Sequence, residues 1–468
     1  MSEARDVLVV GGGVIGVASA LELARRGAAV TVVERDRIGA ACSYGNAGLL
    51  TPAVSLPLAA PGLFPKALFW LFDSASPLYI EPRWSLDLAR WLAGFLAATP
   101  RRRFERGAAA LVELSIRSVE FWAALARRGP DRFGFRDTGL LQVFESPSTH
   151  AAGRGRAELV ARFGVPFESW SAEELREREP ALTGPLGGAY FFPNDAHCEP
   201  DLAMAALAAE AKGAGVRFVE GAEAWRFRRD GARVVEVATT HGSFRAAEIV
   251  LATGAWSKRV AAEARRLGVG FLEGAEAWRF QRRSTRVTAI ETTRGTFEAD
   301  EVVLATGAWS KRIAAELGVR VPMLGAKGYT LLLPPVATMP RRALQLADRK
   351  IAVTPHAGRL RLSGTLELVD ADFSITKSRV ASILAGARAA LALPDSLEPL
   401  EIWRGLRPTL PDGLPMIGRA KGCSNLWLAT GHQMTGLKTA PATGRLLAEL
   451  MTGEQPSLDP DPFRPDRY

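Results

Sequence analysis

The sequence predicts an α/β fold that opens on a Rossmann-type dinucleotide-binding unit, and three observations carry that expectation. Val7 to Val10 is a short run of β-branched residues and leucine, the pattern of a buried strand. Gly11-x-Gly13-x-x-Gly16 follows at once and opens a stretch of helical spacing, with Ile15, Ala18, Leu21 and Leu23 available for an inner face. A second strand, Val30 to Val33, ends on Glu34, about 20 residues beyond the glycines, as a dinucleotide fingerprint requires.

Each part of this unit has a physical task. Gly11 permits the tight turn, Gly13 lets backbone approach a pyrophosphate, and Gly16 lets helix pack on strand. Val14, Ile15 and Gly16 begin the helix, whose free N–H groups and dipole favour an anion. Glu34 can accept hydrogen bonds from a ribose diol, with Arg35 beside it. The unit therefore binds an ADP moiety. Whether the other half is nicotinamide or flavin stays open at this point.

The chain has 468 residues, enough for two or three domains. At 47% apolar and 23% charged residues it reads as globular. The net charge of +9 is spread along the chain without a basic tail, and no nucleic-acid motif accompanies it. Cys42, Cys198 and Cys423 form neither a disulfide framework nor a metal spacing, so no metal is expected and a cytoplasmic setting fits. The N-terminus runs straight into a strand, so a signal peptide is not expected. No apolar run reaches the ~18 residues of a membrane span. Leu63 to Phe72 and Leu88 to Ala98 allow at most peripheral contact with the inner face of a membrane, and core helices account for them better.

After the acid-bearing strand comes Ala41-Cys-Ser-Tyr-Gly-Asn-Ala-Gly48, a loop of small residues that can lie flat against a cofactor. Ser43 can bind phosphate, and Asn46, Ala47, Gly48 and Leu49 can pass a reactive ring by backbone. From Ser43 to Gly62 the sequence SYGNAGLLTPAVSLPLAAPG resembles the corresponding segment of bacterial FAD-dependent D-amino-acid dehydrogenases, within the wider group of D-amino-acid, glycine and sarcosine oxidases. The resemblance runs along nearly the whole chain. It implies FAD as cofactor, and a Rossmann-type FAD-binding domain interleaved with an α+β substrate domain built on a mixed sheet. The expected division gives residues 1–50, 200–320 and 405–468 to the FAD domain and 51–199 and 321–404 to the substrate domain.

Helices are expected from Leu86 to Arg128, strand-like alternation from Phe133 to Phe144, and a strand from Gly187 to Phe192. The Pro193-Asn194-Asp195 turn is similar to one in the family where the chain returns to the FAD domain. Residues 208–260 and 261–313 then form a tandem repeat, with EGAEAWRF and LATGAWSKR each occurring twice. The family has this β-meander unit once, ending in an Ala-Thr-Gly turn against the cofactor. One sheet position is therefore expected to be filled by one copy. Copy two leads directly onward, which favours Ala305-Thr306-Gly307 over Thr253-Gly254 as the cofactor contact. The other copy is expected on the surface, where spare strand edges can mediate self-association into a homo-oligomer.

Strands follow at Thr330 to Leu333, Ile351 to Pro355, Leu360 to Leu362 and Thr365 to Leu368. Arg407, in the Gly-Leu-Arg-Pro motif, is the leading substrate ligand. Its guanidinium fork matches a carboxylate with two parallel hydrogen bonds, and some family members use an arginine of this motif in that way. Gly431-His432-Gln433-Met434-Thr435-Gly436-Leu437 is a glycine-bearing turn that opens a helix, able to stabilise negative charge on a flavin. His432 either packs on the ring or is structural. The family has a small residue where Gln433 stands and a hydroxyl or apolar one where Lys438 stands. Lys438 either anchors a carboxylate near the flavin or lies on solvated helix surface. Tyr329 either lines the pocket or is a core tyrosine with a bonded hydroxyl.

The resemblance implies oxidative deamination of amino acids, D-amino acids and D-proline-like ones among them, by hydride transfer to flavin N5. Electrons pass to a quinone or another carrier. Two alternatives stand beside it: an amine oxidase of the glycine or sarcosine type that uses oxygen, and a flavin-binding scaffold with little turnover.

Overall fold

The computed structural model describes residues 6–34, 36–62, 78–80, 85–128, 132–221, 224–230, 233–239, 242–245, 248–251, 279–283, 286–291, 302–304, 320–369, 372–420 and 426–468. Two large sheets organise them. The first has seven strands, in the order Met416–Arg419, Leu426–Thr430, Val302–Leu304, Glu248–Leu251, Asp6–Val10, Ala29–Val33, Arg217–Val219. All neighbours are parallel except the first pair. The predicted strand–turn–helix–strand unit forms its centre: Val14–Arg25 is the helix, and Asp6–Val10 lies beside Ala29–Val33.

Helix Gly436–Thr452 packs across Val14–Arg25 at Gly444, where a Cβ would lie 2.6 Å from the Ala18 carbonyl. Glycine there lets the two backbones touch. Pro441 inside that helix has no N–H to donate to the Leu437 carbonyl. The Leu437 carbonyl is taken instead by Trp122 Nε1 at 3.1 Å, from the long helix Arg101–Ala126.

The second sheet has nine strands and is mixed. Its main order is Glu401–Thr409, Leu324–Leu333, Arg359–Val369, Ile351–His356, Ala343–Leu346, Leu140–Phe144, Gly188–Phe192, Glu168–Trp170, and Leu78–Ile80 pairs with Arg359–Val369. Strand Glu401–Thr409 runs unbroken through the expected domain boundary at 405.

The repeat departs from expectation. Both copies place a strand in the seven-stranded sheet, side by side: Glu248–Leu251 pairs with Asp6–Val10, and Val302–Leu304 lies between it and Leu426–Thr430. A parallel sheet accepts an added strand whenever the crossover exceeds about a dozen residues, and the chain between these two is far longer. Copy one also forms a three-stranded antiparallel meander, Ala224–Asp230, Arg233–Thr239 and Gly242–Arg245, and copy two the hairpin Arg279–Arg283 with Arg286–Glu291. Among the described residues no helix is long and apolar enough to cross a membrane.

Candidate functional site

The glycine turn is built for close approach. Gly11 has φ +108°, in the region that favours glycine. The Gly12 N–H donates to Glu34 Oε2 at 2.6 Å, and Asp36 N donates to the other oxygen at 3.1 Å, so the acid is held at the strand end. A Cβ on Gly12 would meet Ile38 Cδ1 at 2.3 Å, a requirement for glycine that the spacing rule does not single out. Helix Val14–Arg25 has no side-chain cap of its own and no acid in its first turn. Val14 N donates to Ser43 Oγ at 3.0 Å, which brings Ser43 to the anion-favouring end.

The loop after Ser43 is fastened from the other sheet. Arg361 Nη1 donates to the carbonyls of Tyr44 and Asn46, each at 3.0 Å. Thr330 Oγ1 donates to the Gly45 carbonyl and Thr354 Oγ1 to the Ala47 carbonyl, each at 2.8 Å. Gly48 sits at φ +77°, where a Cβ would lie 2.2 Å from the Cys198 carbonyl. Leu49 pairs with His197.

The turn from Gly431 to Leu437 meets this loop directly: Asn46 Nδ2 donates to the Met434 carbonyl at 3.3 Å. The two segments are 388 residues apart in the chain. Gly431 has φ +85° and Gln433 φ +47°, and Gln433 N donates to the Pro408 carbonyl at 3.1 Å, tying the turn to the strand that carries Arg407. Thr435 N and Oγ1 both donate to the His432 carbonyl. Helix Gly436–Thr452 likewise starts with no side-chain cap and no acid in its first turn. Two open helix N-termini, Glu34 and the small-residue loop thus belong to one connected region. Their donors and acceptor suit the pyrophosphate, ribose and polar ring edge of FAD.

Arg407 lies next to this turn. Nη1 donates to the Thr365 carbonyl at 2.9 Å, and no carboxylate pairs with the guanidinium among the described residues. Burial without a counter-ion pulls Arg407 down to about 10, still fully cationic at neutral pH. Gly328 makes room for it: a Cβ there would sit 1.7 Å from Arg407 Nη1.

Of the residues given two readings, Tyr329 and His432 take the structural one and Lys438 takes neither. Tyr329 is fully buried in the core of the nine-stranded sheet; its hydroxyl donates to Glu367 Oε2 at 2.9 Å and accepts from Thr376 N at 3.0 Å. Tyr329 and Gly328 are successive residues of one strand and point to opposite faces. Gly328 packs against Arg407, so Tyr329 faces away from it. His432 is 4% exposed, its Nε2 hydrogen-bonded to Thr443 Oγ1 at 3.0 Å. Burial lowers it to about 3, so it is a neutral anchor of the turn rather than a proton carrier.

Lys438 is neither on solvated surface nor open to a substrate. Its Nζ donates to the Thr51 carbonyl at 3.1 Å, deep beneath the loop, with Asp195 as its charged neighbour. Burial lowers the lysine and raises the aspartate, and the opposite charge of each resists the other's shift. Arg35, Thr253-Gly254 and Ala305-Thr306-Gly307 lie outside the described residues. Arg361 was legible only as one polar residue in a strand of alternating Arg and Leu.

Comparison with known proteins bears on this arrangement. A family model described as FAD dependent oxidoreductase matches residues 6–263 and 258–450, two stretches that meet at the seam of the repeat. The D-amino acid dehydrogenase of Chromohalobacter salexigens is 31% identical over 469 residues, covering 99% of each chain. That of Cereibacter sphaeroides is 30% identical over 468 residues, covering 99% of this chain and 95% of the other. Among solved structures, glycine oxidase from Geobacillus kaustophilus superposes with a TM-score of 0.69 at 24% identity, covering 99% of each chain. L-proline dehydrogenase from P. horikoshii gives 0.69 at 21% identity, covering 100% of this chain and 98% of the other. These two share the fold.

Proposed function

The chain belongs to the FAD-dependent oxidoreductase family, and from that premise we propose that it deaminates D-amino acids oxidatively and passes the electrons to a quinone or similar carrier. One observation carries the substrate class: Arg407 is a half-buried cation without a carboxylate partner among the described residues, set beside the turn that meets the Asn46 loop. A half-buried guanidinium in that condition gains from a carboxylate that arrives with the substrate. The near 30% identity to D-amino acid dehydrogenases over full length supports the same class.

Glu34, with its oxygens fixed by the Gly12 and Asp36 amides, holds the ribose, and the start of helix Val14–Arg25 with Ser43 holds the pyrophosphate. The turn from Gly431 and the Tyr44–Ala47 loop would flank the flavin ring. When bound, FAD supplies the two-electron oxidation. The protein's part is to hold the substrate by its carboxylate and present the α C–H with the amine neutral. Orientation of this kind supplies about 7–11 kcal/mol in well-aligned systems. The product imine hydrolyses in water to a keto acid and ammonia, or leaves intact when cyclic, so no acid–base pair is required on the carbon.

Anaerobic mixing of the FAD-loaded protein with D- and L-amino acids tests the proposal. Bleaching by D-amino acids supports it, and an unchanged spectrum with every amino acid refutes it. Stoichiometric peroxide under air would replace the carrier with oxygen.

A further inference from the structure

The loop from Tyr44 to Ala47 has all four carbonyls bonded to side chains of the nine-stranded sheet, and a single nitrogen, Arg361 Nη1, holds two of them. Among the described residues no peptide is cis. In a trans peptide the N–H points opposite to the C=O. The peptides that join Tyr44 to Gly45 and Asn46 to Ala47 offer their carbonyls to Arg361, so the amides of Gly45 and Ala47 point away from that sheet. These two amides have no hydrogen-bond partner among the described residues. The intervening amide of Asn46 is already bonded, at 3.4 Å, to the Ser43 carbonyl, and that of Gly48 to Asn46 Oδ1 at 2.9 Å. The two unpartnered donors are the two that Arg361 aims.

Arg361 itself is unusual. It is 5% exposed, no carboxylate lies within ion-pair distance among the described residues, and its Nε has no partner. Burying a cation in this way is costly unless its field is used. Its charge polarises both peptides from the carbonyl side, which makes their amides stronger donors, since bonds in a chain reinforce one another in a low-dielectric setting. The same loop touches the Gly431–Leu437 turn through Asn46, so the amides border the region assigned to the flavin ring.

We propose that Arg361 is a positioning residue for the reaction: it aims the Gly45 and Ala47 amides as a donor pair for negative charge that develops on the cofactor ring as it is reduced. This rests on the assignment of FAD to the site. The consequence is a raised flavin midpoint potential, and Arg361 acts through the loop without touching substrate.

The test uses the full-length, FAD-loaded protein and measures the midpoint potential of wild type, Arg361→Lys, Arg361→Gln, Thr330→Val and Thr354→Val against free FAD in the same buffer. Wild type is expected above free FAD. Arg361→Gln is expected to lose at least tenfold in its preference for reduced over oxidised flavin, which for a two-electron couple is a drop of about 30 mV. Arg361→Lys falls between. The two threonine variants stay near wild type, because the peptides they release carry amides that are already bonded. Three results overturn the proposal: a wild-type potential at or below that of free FAD, a flavin-loaded Arg361→Gln with the wild-type potential, or equal drops in the threonine variants. The wild-type comparison decides even if the Arg361 variants fail to fold. A wild-type protein that takes up no FAD at all refutes the cofactor assignment instead, a separate outcome.

Discussion

Replacing Arg407 with alanine removes the cation proposed to receive a substrate carboxylate. Among the described residues the guanidinium makes a single bond, to the Thr365 carbonyl at 2.9 Å, and meets no acid. Most of its donors are thus left for a ligand. Hydrogen bonds to charged groups contribute about 1.5–3 kcal/mol each. Breaking a desolvated, doubly bonded ion pair by truncating one partner costs roughly 3–5 kcal/mol. At about 1.4 kcal/mol per factor of ten, KM for a D-amino acid should rise a hundred-fold to a few thousand-fold. The same change removes a half-buried charge that has no acid partner among the described residues, so the melting temperature should stay near that of wild type. Steady-state kinetics with an artificial electron dye, run on an amino acid and on its amide, read the effect directly. Wild type should strongly prefer the free carboxylate, and the variant should lose that preference while keeping its FAD. An unchanged KM, or a preference that survives, would show that Arg407 does not hold the carboxylate.

Further outcomes follow from neighbouring geometry. Gly328→Ala puts a Cβ 1.7 Å from Arg407 Nη1, so it should raise KM at least roughly ten-fold by displacing the guanidinium, with flavin content unchanged in the absorption spectrum. Lys438→Met leaves Asp195 fully buried, in its neutral form, with one oxygen without a partner; chemical denaturation should show a loss of about 1–3 kcal/mol, and the double variant Lys438→Met/Asp195→Asn should differ little from it. Burial lowers His197 to about 4 and His356 to about 3, so both are neutral when folded and take up protons on unfolding below the ordinary histidine range. Their contribution is full above about pH 6.5 and falls as pH drops towards 4, by about 3 kcal/mol for His197 alone at the limit; His356→Leu should flatten the fall in melting temperature between pH 6.5 and 4.5.

Local pattern made much of this readable. The strand, glycine turn, helix and acid lie within one short stretch, and every step of that unit has a periodicity or a spacing to read. Asn46 and the Gly431 turn were legible because small residues and glycines mark backbone that must approach something. Tyr329 was not, for a physical reason. Strand Leu324–Leu333 is buried at all ten positions, so polar and apolar residues do not alternate and the faces look alike from sequence. Lys438 was ambiguous because its neighbours, Thr51 and Asp195, come from distant segments. The repeat misled through an assumption about space: identical strands suggested competition for one place, while a parallel sheet had room for both. Arg361 carried no motif, and only the carbonyls it meets reveal its task.

The most direct test of the account is the visible spectrum of the purified protein before and after anaerobic addition of a D-amino acid. The account predicts a yellow, FAD-loaded protein whose colour bleaches with the D-amino acid. A protein that stays colourless after FAD is supplied, or a bound flavin that no amino acid reduces, would contradict it.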